Sequence, residues 1–275
     1  IGTEAQQGLA RKVLEYSILL NTTSKINFID LANYSYLIPN EIKSKGRTPF
    51  SMQRFLIPKL NNYSGLAIYL DSDMLVFDDI EKLISARNVD VAVSSAKVKS
   101  NSNRLPQYSV MVIDCAKAKW NISDIDFNNK NYDSWMFDFD IEKSKDRCIS
   151  YKWNSLELYE KDTKLLHFTD MDNQPWISNQ NKLSSLWINH MIMAVKDNYI
   201  TIDEIKMNVK KGWVRPSVLD QINQGILDSK KVSFIQRIKD YLYVPPHTVS
   251  RFTNFNNVLI RAFLSILKNI FHKIR

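Results

Sequence analysis

Two aspartates one residue apart, Asp71 and Asp73, flank Ser72 in the stretch LAIYLDSDMLVF, with apolar runs before and after them. A short continuous apolar run predicts a strand buried on both faces, as in a parallel sheet. Carboxylates leaving such a strand cannot stay in a dry interior uncompensated, so they must meet solvent, a cation or a metal. Strand ends are where open α/β sheets bind ligands. Close carboxylates there suit a hard divalent cation that bridges the oxygens of a diphosphate. A third ligand of a different type is offered by KLLHF, a short apolar run that ends near His167. Two carboxylates and an imidazole make a mixed oxygen and nitrogen shell, which favours manganese over calcium.

The surrounding pattern predicts how these groups are carried. Ile1 to Glu4 reads as the end of a strand turning into a helix, because Leu9, Val13, Leu14, Tyr16, Ser17 and Leu20 recur at helical spacing. Gly2 would let backbone approach a ligand closely, and the helix start favours phosphate or polar groups; a plain tight turn explains the same glycine. Lys25 to Leu31 reads as the next strand, giving a β-α-β opening. Ser51 is the expected N-cap of a helix from Met52 to Leu60. Arg54 falls in its first turn, where a cation opposes the helix dipole, which points to an anionic partner. Further strands are expected over Val89 to Ser94 and Tyr108 to Asp114, with a polar loop at 97–107 between them and an amphipathic helix in WMFDFDIE, 135–142. From Leu183 the periodicity is helical throughout, with helices expected over 183–195, 202–210, 217–227 and 232–243.

The 275 residues suffice for one large α/β domain with an appendage. Cys115 and Cys148 are the only cysteines, so no disulfide framework is implied, and a reducing cytoplasm fits. No apolar run reaches the roughly 18 residues that span a bilayer. The sequence opens at Ile1 without methionine, and the expectation is that a piece carrying most of a first strand precedes this numbering. A net charge of +8 with dispersed basic residues and no recognition motif speaks against nucleic acid, and suits an anionic membrane surface or sugar-phosphate ligands. At the other end, Phe255, Leu259, Phe263, Ile266, Ile270 and Phe271 form one stripe beside Arg261, Lys268, His272, Lys273 and Arg275. Such a basic amphipathic helix can lie in an anionic membrane interface or pack on the domain or on a partner subunit.

The blocks TPFSMQRFLIPKL, LAIYLDSDMLVF, SVMVIDC, KWN and LLHFTDMDNQPW, in that order, resemble glycosyltransferase family 8, which includes glycogenin and bacterial lipopolysaccharide galactosyltransferases. The resemblance implies a GT-A fold with a mixed central sheet flanked by helices over residues 1–180. It is followed by a helical appendage at 181–244 and the tail helix at 245–275. It also implies a UDP-sugar donor, retention of anomeric configuration, and Mn2+ (Mg2+ as the alternative) on Asp71, Asp73 and His167. Donor contacts carry over to Gly2, Thr3, Glu4, Arg54, Asp71, Ser72, Asp73, Ser109, Asn154, Gln174 and Trp176, and Asp133 is the candidate catalytic residue. One departure stands out: Gln174 replaces a lysine that touches the diphosphate, and a neutral amide stabilises a leaving anion less than an ammonium does.

The implied activity is metal-dependent hexosyl transfer to a hydroxyl of a glycan or glycolipid precursor, in the cytoplasm and peripheral on the inner face of a membrane. Two other readings stay open. One is a non-catalytic nucleotide-sugar or glycan-binding protein. The other is a phosphatase of the haloacid dehalogenase type with Asp71 as nucleophile, in which the strand usually opens the chain.

Overall fold

The computed structural model describes residues 1–44, 46, 48, 50–100, 102, 104–124 and 132–245. The tail at 254–275 lies outside them. By internal contacts the chain divides into a unit from Ile1 to His167 and a unit from Phe168 onward.

The first unit is mixed α/β, in agreement with the expected fold class, but its strands form two sheets. One has the order β1(Leu66–Leu70), β4(Val110–Asp114), β3(Val93–Ala96), β5(Lys145–Ile149), and the other β2(Met74–Val76), β7(Leu165–His167), β6(Ser155–Leu156). Both mix directions: β1–β4, β3–β4 and β2–β7 run antiparallel, β3–β5 and β6–β7 parallel. Asp71-Ser72-Asp73 is the step from the first sheet to the second.

Strand β1 is therefore not a doubly buried parallel strand. It is an edge strand whose ladder partner is antiparallel, and Leu66 at its start is exposed while Tyr69 and Leu70 are buried. Along its length lies an apolar cleft of about 300 Å³ lined partly by Ile26, Phe28 and Ile68.

The helix Gly8–Asn21 forms as its periodicity dictates, and its buried Leu14 and Ile18 join Leu70, Met74, Val76 and Val110 in one core cluster. A second cluster gathers Phe55, Tyr69, Met111, Trp120, Trp135 and Phe139.

Other expectations change. Lys25–Leu31 is not a strand: within it, the Ile1 ammonium donates to the Ile29 carbonyl and the Leu31 N–H to the Ile1 carbonyl, with no ladder beyond. A strand needs a partner along its whole length, and Ile1 supplies one residue. Ser51 caps no helix. Its hydroxyl instead accepts from the Thr48 N–H at 3.2 Å, and Gln53–Leu56 is a 3-10 turn followed by one α-turn at Ile57–Leu60. Pro58, with no N–H to donate, fits only the first turn of that segment. The helix expected at 135–142 sits earlier, at Tyr132–Met136, and Lys145–Ile149 is a strand.

In the second unit the helices Ser184–Lys196, Ile202–Lys210, Ser217–Gln224 and Phe234–Leu242 form close to their expected ranges. Thr201 caps its helix through a reciprocal pair with Glu204. Among the described residues, no helix is long and apolar enough to cross a membrane.

Candidate functional site

Strand pairing assembles the site from distant sequence. The β2–β7 register sets Met74 opposite His167, so Asp73 at the start of β2 lies beside the end of β7. Strand β7 is central in its sheet, and on its other side β6 begins directly after Asn154. In the first sheet Leu70 pairs with Val110, and the same register carried one step further sets Ser109 across from Asp71.

The result is a buried cluster. One ligand atom each from Asp71, Asp73 and His167 lies within 4.8 Å of the others, the group among the described residues able to hold a metal ion. The three residues are 6%, 7% and 3% exposed.

Each ligand is held by its neighbours. His167 Nδ1 lies 2.9 Å from Asn154 Oδ1. An amide oxygen can only accept, so Nδ1 carries a proton and Nε2 is the nitrogen turned to the cluster, 3.1 Å from Asp73 Oδ1. Burial disfavours the charged imidazole, but Asp73 outweighs it and the His167 pKa is raised. Asp71 Oδ1 accepts from the Tyr69 hydroxyl and from Arg54 Nη2, the latter at 3.3 Å. Burial pushes the Tyr69 hydroxyl well above its ordinary value, with Arg54 opposing and Asp71 adding to the rise, so it stays a protonated donor.

Arg54 is fixed as well: Nε donates to the Ser51 carbonyl at 3.1 Å, Nη1 to the Tyr108 carbonyl at 2.8 Å, and its guanidinium lies 4.8 Å from the Tyr69 ring centre. Burial works against its charge, yet Tyr69 and Asp71 raise its pKa overall. The anionic partner expected for Arg54 is thus an internal one, Asp71.

Gly2 forms a parallel bridge with Asp71, donating to the Leu70 carbonyl at 2.9 Å and accepting from the Ser72 N–H at 3.0 Å. A Cβ at this position would stand 2.3 Å from the Tyr69 hydroxyl oxygen, so glycine here permits the contact that holds Asp71. Thr3 exchanges backbone hydrogen bonds with the Gln53 side chain, donating at 3.1 Å and accepting at 2.9 Å. Glu4 follows, and burial raises its carboxyl pKa. The Ser72 hydroxyl donates to Gln7 Oε1. Ser109 is buried, with its hydroxyl 3.3 Å from Gln107 Oε1. Beside Asn154 opens a cavity of about 380 Å³, lined among others by Lys97, Lys99, Gln107, Tyr151 and Ser155.

Three further residues were expected at the site. Asp133 is exposed on the helix Tyr132–Met136 and is not part of the cluster. Gln174 and Trp176 lie in the second unit. There the Gln174 amide donates to the Phe168 carbonyl at 3.0 Å, and the Trp176 ring packs against Phe168 and Trp187. Tyr69, Gln53 and Gln7 were not singled out in the sequence. For Tyr69 a signal existed: it sits two residues before Asp71, on the same face of an extended chain.

No protein-family model matches the chain. Protein CDI of Arabidopsis thaliana is 23% identical over 241 residues, covering 75% of this chain and 90% of that protein. Among solved structures, the bifunctional glycosyltransferase WbbM in its apo form aligns at a TM-score of 0.45 and 14% identity, over 67% of this chain and 47% of WbbM. The glycosyltransferase GlyE of Streptococcus pneumoniae TIGR4 aligns at 0.47 and 14%, over 84% of this chain and 64% of GlyE. The chain thus spans about half to under two thirds of these structures. At such TM-scores the likeness fixes neither fold nor chemistry.

Proposed function

We propose that this chain is a metal-dependent retaining glycosyltransferase of GT-A type that moves a hexose from a UDP-sugar to a hydroxyl of a glycan or glycolipid precursor. The observation that carries the reading is the convergence of Asp71, Asp73 and the Nε2 face of His167 within 4.8 Å. Two carboxylates and one neutral imidazole nitrogen suit Mn2+, or Mg2+ less well. When bound, the ion supplies charge neutralisation for the departing diphosphate.

The chain's own groups do the rest. Arg54 and Tyr69 hold one oxygen of Asp71, and so fix how its carboxylate is turned. Asn154 holds the His167 tautomer. Gly2, Thr3 and Glu4 stand at the Asp71 end, where the resemblance puts the uridine. The cavity that shares Asn154 opens at the His167 end and offers amides, hydroxyls and an aromatic ring of the kind sugars take. In the transfer, the bond from the anomeric carbon to the diphosphate breaks, the bond to the acceptor oxygen forms on the same face, and the acceptor proton leaves with the UDP product. The roles of Asp133, Gln174 and Trp176 belong to this proposal on the resemblance alone; a cytoplasmic location rests on the cysteine usage, and membrane contact through 254–275 on the basic amphipathic pattern of that sequence.

The test is UDP release from a panel of UDP-sugars with and without Mn2+. Turnover should need the metal and vanish in Asp73→Asn; normal turnover in that variant contradicts the assignment. UDP binding with no release under any donor would favour the non-catalytic binding protein.

A further inference from the structure

The helix Phe234–Leu242 is mounted with its polar side inward. Its Asp240 carboxylate accepts from the Ser217 N–H at 2.9 Å, from the Ser217 hydroxyl, from Asn179 Nδ2 at 3.2 Å and from Arg215 Nη1 at 3.3 Å. Arg215 is wholly buried. At about 100° per residue, Phe234, Ile235, Ile238, Tyr241 and Leu242 fall within an arc of about 120° centred opposite Asp240. All five are exposed, Phe234 at 68% and Ile235 at 65%, whereas the Asp240 side chain is enclosed, 4% exposed. An amphipathic helix of a soluble domain ordinarily buries its apolar stripe; here an ion pair and hydroxyl contacts present that stripe to solvent.

The charges beside the stripe are of one sign. Arg237 and Lys239 border it on its two sides, and the Arg237 guanidinium lies 5.8 Å from the Phe234 ring centre. Exposed Lys230 and Lys231 precede the helix. The sequence that follows, 246–275, carries five Lys and Arg and no Asp or Glu. An apolar arc bordered by cations matches a bilayer interface, where rings and aliphatic groups enter the acyl boundary and cations meet anionic headgroups.

We propose that the outward face of Phe234–Leu242 is a docking surface for an anionic membrane, distinct from the expected contact through 254–275. The test is co-flotation of the full chain with vesicles of phosphatidylcholine alone and of phosphatidylcholine with about a third phosphatidylglycerol, an anionic fraction ample for electrostatic attraction. Wild type should float with the anionic vesicles. Phe234→Asp/Ile238→Asp should weaken partitioning by about tenfold or more, and Arg237→Glu/Lys239→Glu should weaken it at low salt. Both pairs are exposed, so thermal midpoints should stay near wild type. The proposal is overturned if wild type fails to float with anionic vesicles, or if the aspartate variant floats as well as wild type. It is equally overturned if that variant turns a wild-type dimer into a monomer in sedimentation, which makes the face a contact between copies. A clear fall in the variant's thermal midpoint without vesicles overturns it too, because the face is then covered by the chain's own residues.

Discussion

Two arginine–aspartate pairs are buried among the described residues, Arg54–Asp71 in the first unit and Arg215–Asp240 in the second, each with an N–O separation of 3.3 Å. Their surroundings differ. Both Asp240 oxygens are engaged, by Ser217, Asn179 and Arg215, and Arg215 adds Ser217, Gln221, Ser229 and the Pro175 carbonyl. At Asp71, Tyr69 and Arg54 both go to Oδ1. The electrostatics follow: burial lowers the Arg215 pKa despite Asp240, whereas at Arg54 the neighbouring Tyr69 and Asp71 overcome burial and raise it. A pair closed on itself locks a helix in place. A pair that leaves its carboxylate turned towards Asp73 and His167 keeps a coordination site ready, and the stability lost in doing so is the usual cost of a functional site.

The largest effect should come from opening the closed pair. Arg215→Met leaves Asp240 buried without its cation and should cost about 3–5 kcal/mol in urea unfolding; a loss under about 1 kcal/mol would mean that the network is not structural. Next comes the open site. Asp73→Asn should leave metal-free stability within about 1 kcal/mol, because a site built for a ligand carries unrelieved charge. The same variant should lose the stabilisation of about 2.7 kcal/mol that a ligand gives at about 100 times its Kd. Thermal shifts with UDP and Mn2+ compare the two variants directly.

Third, Asn154→Leu removes the acceptor that sets the His167 tautomer and should weaken Mn2+ binding about 10- to 100-fold, while Asn154→Asp, which still accepts, should retain most of it. Equal affinity in all three chains would dismiss Asn154 as a positioning residue.

The smallest effect belongs to His190, on the helix Ser184–Lys196. Burial lowers its pKa below the ordinary 6.5, only partly offset by the hydrogen bond from Nδ1 to the Leu186 carbonyl at 2.8 Å. Its folded pKa is depressed, so the unfolded chain binds the proton more readily. The contribution is whole above about pH 6.5 and is lost as pH falls through the folded value. Unfolding midpoints should therefore drop more in wild type than in His190→Gln between pH 7 and pH 5.5, a range that brackets the free histidine pKa of about 6.5.

What could be read in the sequence was set by how local the signal is. Asp71 and Asp73 declare themselves by interrupting an apolar run, and His167 by ending another; strand pairing then joins them. The helices of the second unit follow from spacing alone. Tyr69 was hidden because a tyrosine in a strand reads as packing, and Gln53 because its partner Thr3 lies 50 residues away. Strand β5, KDRCI, alternates weakly and sits at a sheet edge, so pattern alone set no bounds on it. The helix Phe234–Leu242 shows the reverse failing: its amphipathic period is plain, but which face turns inward depends on Arg215, 25 residues from Asp240.

The most direct test is pulsed EPR of the chain loaded with Mn2+ and UDP. The account predicts one bound ion per chain, with nitrogen coupling from a single imidazole that disappears in His167→Gln and phosphorus coupling from the diphosphate. Bound Mn2+ that shows no imidazole coupling, or a spectrum unchanged by Asp73→Asn, would contradict it.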